Sequence, residues 1–298
     1  MTTVDRPILI VGTGRCGSTM LHRLIALHGD VGTTSTFNEV FPTQPWLSAF
    51  SGLYRARWMG HRIRHLSFFP KPFEAYKFWE HYLPGFSRRD KPLTASDVPT
   101  EGILPVRKTV ARLLRYQNKK RFLAKVTGWS RMEYFDRIFP DARFVFLNRE
   151  PRAVISSWIQ AGWLDVTTGP NSDSWQWGAV PEAYRAVWED LGADPILSAA
   201  VKVKLDLDDV HRNMNLFPGR SYQLDYDDLI AAPINELQGL TKCCQLPWTP
   251  DFHEAMSAME FRDTRDKWKK YLSEQDGDRI LEFFRRVETA DVLATATV

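Results

Sequence analysis

The chain has 298 residues, 44% of them hydrophobic and 25% charged, with a formal net charge of +3. That length can bury a sizeable core, as one large α/β domain or two smaller ones, and so small a charge gives no case for nucleic acid or a membrane surface as partner. Three cysteines make no disulfide framework, and no apolar run approaches the roughly 18 residues of a membrane span, so the expectation is a protein of the reducing cytoplasm without integral membrane contact.

The first element is a strand, Pro7-Ile-Leu-Ile-Val11, feeding the loop Gly12-Thr-Gly-Arg-Cys-Gly-Ser-Thr19 and then an amphipathic helix from Met20 to His28. Loop amides and a helix N-terminus converging on one point make an anion site. The spacing Gly12-x-x-x-x-Gly17 fits a nucleotide-binding P-loop, yet Ser18 stands where such a loop needs lysine and the cation, Arg15, comes earlier. The loop suits a phosphate-type group but not the γ-phosphate of a triphosphate.

Glu39 follows that helix and a possible second strand. Residues 40–118 are aromatic and basic, with Arg55, Arg57, His61, Arg62, Arg64 and His65 clustered, which suits either a solvated helix face or a surface for an acidic substrate. A buried strand is predicted over Arg121–Val126, with Lys125 near its end. Ser130-x-x-Glu133 reads as a capping box opening a helix through Phe135, Ile138 and Phe139 that Pro140 ends. A further strand, Arg143–Asn148, leads into Arg149, Pro151 and Arg152 and a helix through Trp158 that Gly162 stops. Residues 160–180 carry Trp163, Trp175 and Trp177 in a loop, Ser221–Leu224 forms another strand, and Ile280, Leu281, Phe283, Phe284 and Val287 share the apolar face of a late helix. Strands alternating with helices predict a single α/β domain over 1–298, three layers α/β/α around a mostly parallel sheet, with ligands beyond the carboxyl ends of the strands. The stretches 40–118 and 160–180 read as acceptor-binding or lid insertions.

Arg149, Arg152, Ser156 and Ser157 at one strand-to-helix junction read as a second phosphate site, since arginine offers a fork of donors. Ion pairing of Arg149 with Glu150 or Asp141 is the alternative. Taken together, the two segments resemble the sulfotransferases that use 3′-phosphoadenosine-5′-phosphosulfate (PAPS). The first resembles the 5′-phosphosulfate loop of that family. Leu147-Asn-Arg149-Glu-Pro-Arg152, with Ser157 eight residues after Arg149, resembles its 3′-phosphate site. Leu224-Asp-Tyr-Asp-Asp-Leu229 and Arg262-Asp-Thr-Arg-Asp-Lys-Trp-Lys269 match its later segments more weakly, and the Arg-Cys-Gly-Ser-Thr wording is closest to bacterial and carbohydrate enzymes.

The resemblance implies direct in-line transfer of a sulfuryl group to a hydroxyl, less readily an amine, of a small-molecule, carbohydrate or lipid acceptor, with 3′-phosphoadenosine 5′-phosphate (PAP) as product and no metal. Gly14, Arg15, Cys16, Gly17, Ser18 and Thr19 would hold the 5′ end of the donor, and Arg149, Arg152, Ser157, Arg265, Lys267 and Trp268 its 3′-phosphate. Arg15 and Lys125 would stabilise the leaving group, and Glu39 would serve as base, with His61, His65 and His81 behind it. Cys16 reads as a small loop residue, because direct transfer needs no covalent intermediate. A P-loop kinase of a small molecule and a non-catalytic nucleotide-binding protein of the same fold are the competing readings.

Overall fold

Short apolar runs that are buried on both faces suit a sheet covered by helices on either side, and this chain pairs them in parallel. The computed structural model describes residues 4–55, 69–164 and 169–296. Strands β1 (Ile8–Val11), β2 (Val31–Thr33), β3 (Arg121–Lys125), β4 (Arg143–Asn148) and β5 (Ser221–Asp225) form one sheet in the order β2-β3-β1-β4-β5. Every pairing is parallel, and β1 lies at the centre, with Ile10 opposite Lys125 on one side and Val145 on the other.

Side chains alternate across the sheet and divide the core in two. Ile8, Ile10, Leu123, Val145, Leu147 and Leu224 face one cluster, which is closed by α1 (Ser18–Ile25), α9 (Tyr226–Ala231), α10 (Pro233–Cys243) and α11 (Pro250–Ser257). Leu9, Val11, Phe122, Ala124, Phe144 and Phe146 face the other. That side is covered by α3 (Tyr76–Tyr82), α4 (Thr100–Gln117), α5 (Met132–Ile138), α6 (Pro151–Gln160), α7 (Glu182–Asp190), α8 (Pro195–Leu216) and α12 (Glu274–Ala296). The three predicted layers are therefore present. Within 40–118, α4 buries Val106, Val110, Leu113 and Leu114 in this core, so part of that stretch is a covering layer of the sheet.

Two segments differ from what the sequence predicts. Ser130 and Glu133 form no capping box. Helix α5 starts after Arg131, which is left-handed at φ 51°, and the Ser130 amide donates instead to Asp209 Oδ2 at 2.8 Å. The cause is the buried Arg131 guanidinium, which donates to the carbonyls of Phe86, Arg88 and Trp129 and fixes its own backbone. N-cap amides are instead answered by a side chain three residues on at Ser35–Asn38 and Thr94–Asp97, both at 2.9 Å, the first opening α2 (Thr36–Val40). In α12, Ile280, Phe283, Phe284 and Val287 are buried as expected, but Leu281 turns outward. Helix α6 begins at Pro151 as predicted, with the Glu150 carboxylate accepting from the Ala153 amide at 3.0 Å. Among the described residues no helix is long and apolar enough to cross a membrane.

The crossover leaving β1 places α1 on one face, and the one leaving β4 places α6 on the other. The carboxyl ends of β1 and β4 thus flank the point where the winding reverses, which is where α/β sheets open a crevice. Behind this point, on α1, His22 is 1% exposed and its Nε2 has no partner. Burial, reinforced by the neighbouring Lys125 and Arg23 cations, lowers its pKa from 6.5 to about 3. A folded-state pKa below the unfolded one means the stability is whole above pH 6.5 and is lost as pH falls from there towards 3. Each unit in that window removes at most about 1.4 kcal/mol. His22→Leu should flatten the acid limb of a melting temperature measured between pH 7 and 4, and an unchanged limb would show that His22 does not govern it.

Candidate active site

The loop between β1 and α1 is shaped by what its glycines exclude. A Cβ on Gly12 would lie 2.9 Å from the Leu147 carbonyl oxygen, so β1 can leave the sheet beside β4 only without a side chain there. Gly17 has φ +100°, and a Cβ on it would lie 2.6 Å from the Tyr226 ring. The Gly17 N-cap supplies no side-chain cap to α1, and a helix N-terminus without one presents the positive end of its dipole to an anion. Arg15 also takes a left-handed backbone, φ 72°, and its Nε donates to Ser157 Oγ on α6 at 3.0 Å. Trp158 Nε1 donates to the Gly14 carbonyl at 3.0 Å, and the Arg15 guanidinium lies 5.6 Å from the centroid of the Trp163 ring. Cys16 is wholly buried, which pushes its thiol pKa up and keeps it protonated, in line with a packing role.

Arg149, just past the end of β4, ties the second segment to the first. Its Nη1 donates to the Arg15 carbonyl at 3.2 Å, its Nη2 donates to Thr264 Oγ1 at 3.4 Å, and its guanidinium stacks 4.3 Å from the Tyr226 ring centroid. It pairs with neither Glu150 nor Asp141. Glu150 instead binds Arg152 Nε at 2.6 Å, and Asp141 Oδ2 accepts the Arg6 amide at 2.7 Å. Beside it opens a cleft of about 280 Å³ lined by Arg149, Ser156, Ser157, Lys267, Trp268 and Tyr271. The Arg152 guanidinium lies 4.5 Å from the Trp268 ring centroid and steadies that wall. Arg265 is turned away from it, paired at 2.6 Å with exposed Asp263.

A third group gathers at the end of β3. Lys125, the last residue of that strand, donates to Thr19 Oγ1 at 2.7 Å and pairs with Glu74 Oε1 at 2.6 Å. Thr127 donates its hydroxyl to the same Glu74 oxygen at 3.2 Å. Glu39, on α2, accepts the Lys77 amide at 2.9 Å through Oε2, and Oε1 lies 3.9 Å from Lys77 Nζ. No hydrogen bond or ion pair joins it to Lys125 or the loop among the described residues. His81 is exposed and packs its ring against Tyr82 at 4.8 Å, while His61 and His65 lie outside the described residues, as do Arg57, Arg62 and Arg64. No group of three or more His, Cys, Asp or Glu is gathered as a metal site would require, among the described residues.

A strand–glycine loop–helix joined through one arginine to a second basic strand end is a specific arrangement, and the sequence carries its signature: the sulfotransferase family profile matches residues 7–250. The chain belongs to the sulfotransferase family. No curated protein matches it. Among solved structures, sulfotransferase STF1 from Mycobacterium tuberculosis is 17% identical with a TM-score of 0.57, covering 94% of this chain and 77% of that one. STF9 from Mycobacterium avium is 14% identical with a TM-score of 0.58, covering 95% and 76%. The sulfotransferase domain of the curacin biosynthetic pathway is 14% identical with a TM-score of 0.50, covering 94% and 98%. At these identities the likeness is one of fold.

Of the residues singled out in the sequence, Arg15, Ser157 and Arg149 meet directly, Lys267 and Trp268 join Arg149 and Ser157 around the cleft, and Lys125 reaches Thr19. Tyr226, Tyr271 and Glu74 were not singled out. Tyr226 lies inside the noted Leu224–Leu229 stretch and Tyr271 just beyond the noted basic segment, whereas Glu74 has no local signal. The geometry at Gly17 gives a direct test of the loop. Gly17→Ala forces a strained φ and a clash with Tyr226, costing about 1–3 kcal/mol. The melting temperature should fall by several degrees, and calorimetry showing no loss would mean that the ring can move aside.

Proposed function

We propose that this sulfotransferase moves the sulfuryl group of PAPS to a hydroxyl of a small-molecule, carbohydrate or lipid acceptor by direct in-line displacement. The observation that carries the reading is the junction at Arg15, whose side chain reaches Ser157 while its carbonyl holds Arg149. Two anion-binding elements of opposite sheet faces are thereby set a fixed distance apart, as a nucleotide with phosphates at both its 5′ and 3′ ends demands. The residues suit such a ligand. The amides of residues 14–19 with Arg15 would take the phosphosulfate, and Arg149, Ser157 and Lys267 the 3′-phosphate, with Trp268 and Tyr271 walling the cleft.

The chemistry requires charge to be stabilised on the bridging oxygen as the sulfur departs, by donors already in place. Lys125 and Thr19 stand together at the helix N-terminus, so the cation that a nucleotide-binding loop normally carries within itself is supplied here from the neighbouring strand. That substitution explains why Ser18 can replace the loop lysine. Arg152, engaged with Glu150 and Trp268, acts by holding the cleft wall.

The reading is tested with PAP as ligand and PAPS labelled in its sulfate. PAP should raise the melting temperature, label should pass to at least one member of a panel of hydroxylated acceptors, and Arg15→Ala and Arg149→Ala should each weaken PAP binding by at least tenfold, as loss of charge-assisted hydrogen bonds implies. Lys125→Met should bind PAP and lose on the order of 100-fold in kcat. A wild-type protein that neither binds PAP nor is stabilised by it overturns the proposal.

A further inference from the structure

We infer that Glu74 is the general base that takes the proton from the acceptor hydroxyl, an inference that rests on the sulfuryl-transfer reading above. An acceptor attacking in line approaches sulfur from the side opposite the leaving oxygen, so its base stands across the sulfuryl group from that oxygen, within a side chain's reach of the leaving-group donors. Glu74 meets that requirement. Its carboxylate lies one contact from Lys125, which lies one contact from Thr19 at the loop.

The way its two oxygens are used sharpens the case. Lys125 and the Thr127 hydroxyl both engage Oε1, and Oε2 makes no hydrogen bond or ion pair among the described residues. One oxygen is anchored and the other is left for a ligand. The anchoring also extends to the backbone, since Trp79 Nε1 donates to the Glu74 carbonyl at 3.1 Å and Tyr76 OH donates to the Thr127 carbonyl at 3.1 Å. The Glu74 side chain is 21% exposed while that of Lys125 is 8%, so the carboxylate is the part of the pair that solvent, and an acceptor, can reach. Lys125 is the one cation in contact with it among the described residues, and Arg131 stands behind the Tyr76 ring at 5.8 Å. Glu39 is equally exposed at 21% but differs in its contacts. Both its oxygens are directed at Lys77, and neither reaches the loop.

In the step, the acceptor O–H proton passes to Glu74 as the acceptor oxygen forms its bond to sulfur. The bond from sulfur to the bridging oxygen breaks, and its electron pair remains on that oxygen, completing the 5′-phosphate of PAP. Lys125, released from the carboxylate as that becomes neutral, is free to donate to the departing oxygen, so proton uptake at one end of the pair supplies the hydrogen bond at the other. The proton on Glu74 then leaves to solvent.

The experiment compares Glu74→Gln, Glu74→Asp and Glu39→Gln. PAP binding is measured by calorimetry, and turnover as PAP formed from PAPS with water or with a hydroxyl acceptor from the panel. Glu74→Gln should bind PAP at least as tightly as wild type, because Lys125 loses a competing anion, while kcat falls on the order of 100-fold or more and KM for PAPS stays within threefold. Glu74→Asp should recover part of kcat, which a purely structural role would not predict. Turnover in Glu74→Gln within threefold of wild type overturns the inference. So does a loss of PAP binding in that variant, which would make the carboxylate structural, and so does a large kcat loss in Glu39→Gln alone. Failure of wild type itself to bind PAP refutes the parent reading instead, and the inference falls with it.

Discussion

The structure depends on β1 being hydrogen-bonded on both edges and buried on both faces. A strand in that position cannot shift register without moving apolar side chains between two cores, so the point at which its last residue releases the chain is fixed. Ile8 and Ile10 belong to one core and Leu9 and Val11 to the other, all four essentially without exposure. Gly12 therefore emerges against the Leu147 carbonyl of β4, with no room for a side chain. The neighbours inherit the same precision, because Lys125 ends β3 next to the loop and Arg149 follows β4 on its other side.

This arrangement makes the site a set of side chains borrowed from three strand ends. Arg15 supplies the link, with its guanidinium on α6 and its carbonyl on Arg149. Tyr226, following β5, then serves two partners with one ring, stacking Arg149 and lying over Gly17. Thr264 completes the circuit by donating to Tyr226 OH at 3.3 Å while accepting from Arg149. The strained backbone at Arg15 is held by contacts on every side, which is the usual setting for such strain.

Strand positions and the two basic segments could be read in the sequence because each is carried by a local pattern. Apolar runs bounded by charge gave β1, β3, β4 and β5, and Arg149, Arg152 and Ser157 stand at fixed offsets from Pro151. What escaped was set by tertiary contact. Ser130-x-x-Glu133 has the letters of a capping box, but the carbonyls around the Arg131 guanidinium decide the backbone there. Leu281 lies three residues before Phe284 and still faces solvent, so spacing alone did not place the edge of the buried stripe. Glu74 sits in no periodic segment, and only the folded chain brings it to Lys125.

The family profile ends at residue 250, yet the cleft beside Arg149 is closed by Lys267, Trp268 and Tyr271, and Thr264 holds Arg149 itself. The recognisable part of the sequence and the walls of this cleft therefore have different borders. A fragment cut where the profile stops would keep the entire sheet and the glycine loop, and would still lack one bank of the cleft beside Arg149. Trp268 in turn leans on Arg152 and on α12, where a Cβ at Gly277 would lie 2.8 Å from the indole. The last helix thus braces one wall of that cleft, although it carries no motif.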